Sequence, residues 1–191
     1  MGTGKRTIEV ELSNEEIARA ADIGRARSAV NDLYTDGAID PHRSGIDIDI
    51  QGAIGEFAFA KHYKIAWTGR LWTRQEWEKR RGDGDIGPIQ IKTIRDMNHR
   101  LIVPEKDAGL KNAPFVLVSL HKLPLATLVG WCMGSYIIQP RFWNISLPRA
   151  AWAVYPERLA PMSTFWLRFK NTLEAFQKEK ESQVGHYSVS G

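Results

Sequence analysis

The sequence predicts a single α/β domain in which a mixed β-sheet is flanked by helices. Three observations carry that prediction. At 191 residues the chain is long enough to bury one sizeable core. Its composition, 43% hydrophobic and 25% charged, is that of a globular protein rather than a disordered one. Its apolar period alternates between two residues and about 3.6, which gives the order α–α–β–β–β–β–β–α after one early strand.

The elements follow in order. "GTGKRT" near the start resembles a phosphate-binding loop but lacks the preceding strand and the required spacing, so it reads as a leader. "TIEVEL" alternates as a strand does. Ser13 and Glu16 form an S-x-x-E capping box that opens a helix running to about Leu33. "TDGAIDPHRSG" is a loop, and the residues from Ile50 to Tyr63 are helical in pattern. A polar stretch with interleaved aromatics leads to Gly82 and a hairpin. Strands follow at "RLIVP", "FVLVSLH" and "ATLVGWC", with "EKDAGLKNAP" as a turn between the first two. "LAPMSTFWLRFKNTLEAFQKE" closes the domain as an amphipathic helix. The domain spans residues 1–181, and residues 182–191 form a flexible tail.

Several function classes drop out early. No apolar run is long enough to span a membrane, and "MGTGKRTIEVEL" has no signal-peptide core, so a cytoplasmic location is expected. The one cysteine, Cys132, lies in the apolar run "LVGWCM" and is expected to be a buried hydrophobe. The five histidines, His42, His62, His99, His121 and His186, follow no zinc-ligand spacing. No G-x-S-x-G elbow supports serine catalysis. A net charge of +4 leans toward an anionic partner.

The stretch richest in chemistry is "GDGDIGPIQIKTI", residues 82–94. Gly87-Pro88 suits a type II′ turn, because Gly accepts the positive φ of the first central position and Pro the negative φ of the second. Ile86 then faces Ile89, and Asp85 faces Gln90. Alternation puts Gln90 and Lys92 on one side of the strand with Asp85, and Ile89 and Ile91 on the other. A carboxylate, an amide oxygen and an ammonium are gathered on one patch. Upstream, Glu56 is the only charge in "IQGAIGEFAFA", residues 50–60, a helix apolar nearly all round. Glu56 is therefore expected to be buried. A buried carboxylate needs a cation, a hydrogen-bond network or a proton, and an arginine partner would serve.

The ordered set "GAIGEFAFAKHY", "GDGDIG" and "IQIKT" resembles the PD-(D/E)XK nucleases of the restriction-endonuclease-like fold, particularly compact phage and bacterial members. The resemblance covers Ile50 to Trp131. It implies a restriction-endonuclease-like core and a catalytic set of Glu56, Asp85, Gln90 and Lys92. Gln90 stands where the family usually has an acid. The resemblance further implies an Mg²⁺ or Mn²⁺ cofactor held by Asp85, the Gln90 side-chain oxygen and the Ile91 carbonyl, with Glu56 bound directly or through water. Lys92 would orient and help deprotonate the attacking water. The implied activity is hydrolysis of DNA phosphodiesters. A weak or inactive nucleic-acid-binding relative and a non-enzymatic interaction domain are the alternatives, and a homodimer is compatible with either.

A basic stretch enters the hairpin. "GRLWTRQEWEKRR", residues 69–81, carries Arg70, Arg74, Lys79, Arg80 and Arg81 against Glu76 and Glu78, with Trp72 and Trp77 between them. Position beside the hairpin makes these cations, together with Arg95, the expected nucleic-acid contacts.

Overall fold

A computed structural model describes residues 7–32, 45–67, 69, 71 and 84–185. The early strand is β1 (Ile8–Glu11) and the first helix is α1 (Asn14–Asp32). The capping box forms reciprocally: Ser13 Oγ accepts the Glu16 N–H at 3.1 Å, and Glu16 Oε2 accepts the Ser13 N–H at 2.7 Å. The second helix, α2 (Gly45–Tyr63), begins five residues before the expected Ile50. The strands β2 (Gln90–Ile94), β3 (Leu101–Pro104), β4 (Pro114–Lys122) and β5 (Leu125–Met133) follow. A short 3-10 turn over Glu105–Asp107 separates β3 from β4. The chain continues through α3 (Gly134–Ile137), β6 (Trp143–Asn144) and β7 (Ala151–Val154) to the long α4 (Met162–Gly185). That helix occupies residues 182–185, which the sequence assigned to the tail.

The expected single sheet is two sheets. Four strands run in the order β1-β5-β4-β2, with β2 parallel to β4 and the other pairs antiparallel. Three strands form a second, antiparallel sheet in the order β3-β7-β6. Strand β3 therefore leaves the main sheet and pairs with β7, a strand formed by "AWAV" that has too few residues to display a period.

Alternation along the central strands separates two cores. Ile91, Val116 and Trp131 occupy matched positions on β2, β4 and β5, and they pack with Ile54, Ala58 and Phe59 of α2 and Phe165 of α4. Phe115, Leu117 and Cys132 face the other way and pack with Leu101, Val103 and Val154 of the second sheet. Helices thus cover one face of the main sheet and the small sheet covers the other. Cys132 is buried as expected, and burial raises its thiol to about 12.

Two close approaches set the helical layer. A Cβ on Gly24 of α1 would lie 2.4 Å from the Ile50 Cα, so only glycine allows the two helices to cross there. A Cβ on Gly55 would lie 2.2 Å from Thr93 Oγ1, which presses α2 directly onto the edge strand β2. Among the described residues no helix is long and apolar enough to cross a membrane.

Candidate functional site

The site is built at the free edge of β2, the last strand of the main sheet. The preceding turn forms as the sequence requires. Ile86 and Ile89 exchange backbone hydrogen bonds at 3.1 and 3.2 Å, and Gly87 has φ of +59°. Beyond that single bridge the two arms do not pair, so the expected first strand of the hairpin is absent over 84–85. A Cβ on Gly84 would collide with the backbone of Ile89 at 2.4 Å, so the first arm crosses tightly over the second. This crossing turns Asp85 away from Gln90. Its Oδ2 instead accepts the Ile91 N–H at 2.6 Å.

That hydrogen bond caps a backbone donor on the strand edge that has no strand neighbour among the described residues. The N–H and C=O of one strand residue point the same way, so the Ile91 carbonyl shares this edge with the Asp85 carboxylate.

Asp85 is exposed at the surface, and Glu56, Lys92 and Arg27 all lie close enough to act on its charge. Its carboxyl is raised to about 6. The largest cause is loss of solvation, and the charge of Glu56 adds to it. Lys92, the Ile91 N–H and Arg27 pull in the opposite direction without offsetting the rise. The contribution of Glu56 matters most to the geometry, because it places the two acids within electrostatic reach of each other.

Glu56 is 5% exposed, as its position on an all-round apolar helix predicts. Both its oxygens are taken. Arg27 of α1 donates to Oε1 at 2.5 Å and to Oε2 at 2.8 Å, and Trp67 Nε1 donates to Oε2 at 3.1 Å. Burial opposes the Arg27 charge, but the hydrogen bonds and charge of Glu56 more than offset it and leave the guanidinium raised. The arginine partner that a buried carboxylate calls for is therefore Arg27. The sequence could not single it out, because the pair joins positions 29 residues apart.

Gln90 and Lys92 share a face of β2, as alternation requires, but it is not the face of α2. Gly55 of α2 touches Thr93, and Thr93 points away from its neighbours Gln90 and Lys92. Glu56 and the Gln90–Lys92 pair therefore lie on opposite sides of the edge strand, with Asp85 between them at the rim. The expectation of one common patch is corrected to a site that wraps around an edge. The physical cause is the crossed first arm, which brings Asp85 to the rim instead of laying it flat on one face.

Gln90 is 7% exposed, and its amide makes no hydrogen bond among the described residues. Lys92 Nζ donates to Asp107 Oδ2 at 3.2 Å and lies 5.7 Å from the centre of the Phe115 ring. Asp107 sits in the 3-10 turn after β3, in a segment that reads from sequence as an ordinary turn. No spacing or motif in the sequence points to it.

The basic contacts divide. Arg95 is exposed just past the end of β2. Arg70, Arg74, Lys79, Arg80 and Arg81, with Trp72 and Trp77, lie outside the described residues.

The oxygens at the rim are the Asp85 carboxylate and the Ile91 carbonyl, and the Gln90 amide lies on the neighbouring face. That set suits a hard divalent cation such as Mg²⁺, which binds through one or two carboxylates and keeps several waters. Among the described residues no three His, Cys, Asp or Glu side chains form a metal-binding group. A cation here would rest on one free carboxylate plus neutral oxygens. Compared with models of known families, with curated proteins and with solved structures, the chain finds no match.

Proposed function

We propose that the protein is a metal-dependent nuclease of the PD-(D/E)XK type that hydrolyses DNA phosphodiesters. The single observation that carries this reading is the state of Asp85. Its carboxylate is held on the Ile91 N–H beside the edge of β2 and exposed at the surface, with Glu56 and Lys92 both close enough to act on its charge. An exposed carboxylate beside a strand-edge carbonyl, with a lysine nearby, can offer oxygens to a hard cation.

The residues divide the work by position. Asp85 and the Ile91 carbonyl would hold the cation at the rim, and Gln90 would join them only by reaching round from the neighbouring face. When bound, the cation supplies an acidified water and neutralises charge on the scissile phosphate. Lys92, steadied by Asp107, presents its ammonium on the neighbouring face, where it would donate to the phosphate oxygen that gains charge. Glu56 and Arg27 act as a neutralised pair that fixes the α1–α2 wall behind Asp85.

A second reading has its own support. Gln90 replaces a charged ligand, and Glu56 is already paired, so the site is poorer in negative charge than the resemblance implies. That favours a weak or inactive nuclease-fold protein that binds nucleic acid. Plasmid nicking and linear-duplex digestion in Mg²⁺, Mn²⁺ or EDTA separate the two. Cleavage that requires the metal and disappears in Asp85→Ala supports the nuclease. Binding without cleavage in any metal supports the second reading.

A further inference from the structure

Beyond the end of β1, the C-terminal half of β5 is flanked by a groove of about 340 Å³. Trp131, Cys132 and Met133 of β5 form its floor. Tyr136 of α3, Leu159, Ala160 and two arginines, Arg158 and Arg168, complete it. Leu159 and Ala160 belong to a connector stitched to β5 by hydrogen bonds of 3.0 and 2.8 Å between Trp131 and Ala160. Among the described residues no carboxylate lines the groove.

The arginines here are held differently from those elsewhere. Arg25 and Arg27 are paired with Asp22 and Glu56, so their charge is spent within the protein. Arg168 instead lies over the Trp131 ring, 5.6 Å from its centre, and Arg141 lies over Tyr136 at 5.4 Å. Neither these two nor Arg158 has a carboxylate partner among the described residues. A guanidinium held by a ring keeps its five in-plane donors free, whereas a carboxylate would occupy two of them. The groove therefore presents two cations beside apolar walls, Arg168 over the Trp131 ring and Arg158 exposed, neither with a carboxylate partner among the described residues. Its complement is an anion with an attached flat or apolar body.

Location narrows the anion. Register places Cys132 opposite Phe115 and Phe115 opposite Gln90, so the groove lies at the same end of the main sheet as the candidate site. There the candidate site lies on the outer edge of β2 and the groove on the outer edge of β5, with β4 between the two strands, so a strand that reached both would cross the end of the sheet. The volume admits one splayed nucleotide, but a duplex keeps its bases stacked inside and cannot offer one. We infer that this groove, lined by Trp131, Tyr136, Arg158 and Arg168, docks a single-stranded segment of the nucleic-acid substrate. Arg158 and Arg168 contact phosphates, and a base stacks on the guanidinium that rests on Trp131. The inference rests on the nuclease reading for the identity of the anion.

The test is fluorescence anisotropy of a labelled short oligothymidylate, titrated with NaCl in EDTA so that no cleavage intervenes. A duplex of the same length serves for comparison. Replacing Arg158 and Arg168 together with Ala should weaken single-strand binding about tenfold. It should also reduce the salt slope by about 1.4, since each phosphate contact on a single strand contributes about 0.7. Arg25→Ala, whose charge is already matched by Asp22, should change neither quantity. Replacing both groove arginines with Lys should restore the slope but not the full affinity, because an ammonium cannot stack. Both arginines are exposed, and an unchanged melting temperature verifies that the double variant folds. An unaltered affinity and slope in the double variant overturns the inference, as does a failure of the wild type to bind the strand. The two proposals fail separately. Metal-dependent cleavage with unchanged binding in the groove variant rejects only the groove. Loss of binding in that variant, with no cleavage in any metal, rejects only the nuclease.

Discussion

Arg27 grips both oxygens of Glu56, at 2.5 and 2.8 Å, in a fork-to-fork pair that joins the first two helices. Their side chains are 21% and 7% exposed, so water screens the pair little. Removing one partner leaves the other charge buried. Arg27→Ala should therefore destabilise the protein by about 3 kcal/mol, measured by urea unfolding. Replacing both residues with apolar side chains, Arg27→Met and Glu56→Leu, should recover much of that loss. A double variant no more stable than Arg27→Ala would contradict this account. In that double variant, persisting metal-dependent cleavage would show that the cation does not need Glu56.

The Lys92–Asp107 contact predicts a graded catalytic series. Lys92→Ala and Asp85→Ala should each reduce metal-dependent cleavage on the order of a hundredfold or more. Asp107→Asn should lower kcat less and leave KM nearly unchanged, because it releases Lys92 without deleting it. Gln90→Glu should tighten Mg²⁺ binding by adding a charged oxygen, readable by calorimetry without any turnover. Full activity in Lys92→Ala would remove the proposed mechanism.

Two glycines one turn apart on α2 should respond in opposite directions. A Cβ on Gly52 meets nothing within 4 Å, so Gly52→Ala should stabilise by up to about 1 kcal/mol through helix propensity. A Cβ on Gly55 meets Thr93 Oγ1 at 2.2 Å, with Cγ2 and Cβ of the same side chain at 3.2 and 3.3 Å. Rotating Thr93 cannot clear three of its atoms. Gly55→Ala should destabilise by about 1–3 kcal/mol, seen as a lower Tm. Equal shifts of Tm would show that α2 does not press on β2 there.

The capping box carries a pH signature. Glu16 is held below the usual carboxylate range, chiefly by its hydrogen bond from Lys61 at 2.6 Å and then by the Ser13 N–H. Its folded pKa is thus lower than its unfolded value near 4.5. The resulting stability is fully present above that value and is lost as pH falls through the folded pKa. Glu16→Gln should therefore cost stability at neutral pH and converge on the wild type in acid. Denaturant melts across that range measure it, and a constant difference at all pH values would refute the linkage.

Local chemistry was legible in the sequence by itself. Ser13 and Glu16 marked a helix start because a cap is a contact between residues three apart. Gly87-Pro88 marked a turn because only certain φ values close one. Glu56 read as buried because a charge surrounded by apolar positions on a helix has nowhere else to go. Strands β4 and β5 read as strands because both are apolar and separated by one tight turn. What these share is that cause and effect lie within a few residues.

Only the tertiary structure decided the rest. The choice of β7 rather than β2 as the neighbour of β3 depends on pairing across some fifty residues, about which alternation is silent. The arrival of Arg27 at Glu56 depends on the helix crossing that Gly24 permits, and the arrival of Asp107 at Lys92 depends on a turn without periodicity. The candidate site wraps around the edge of β2 for the same reason. Spacing fixes which side chains share a face, but the crossed backbone at Gly84 determines where Asp85 stands between the two faces.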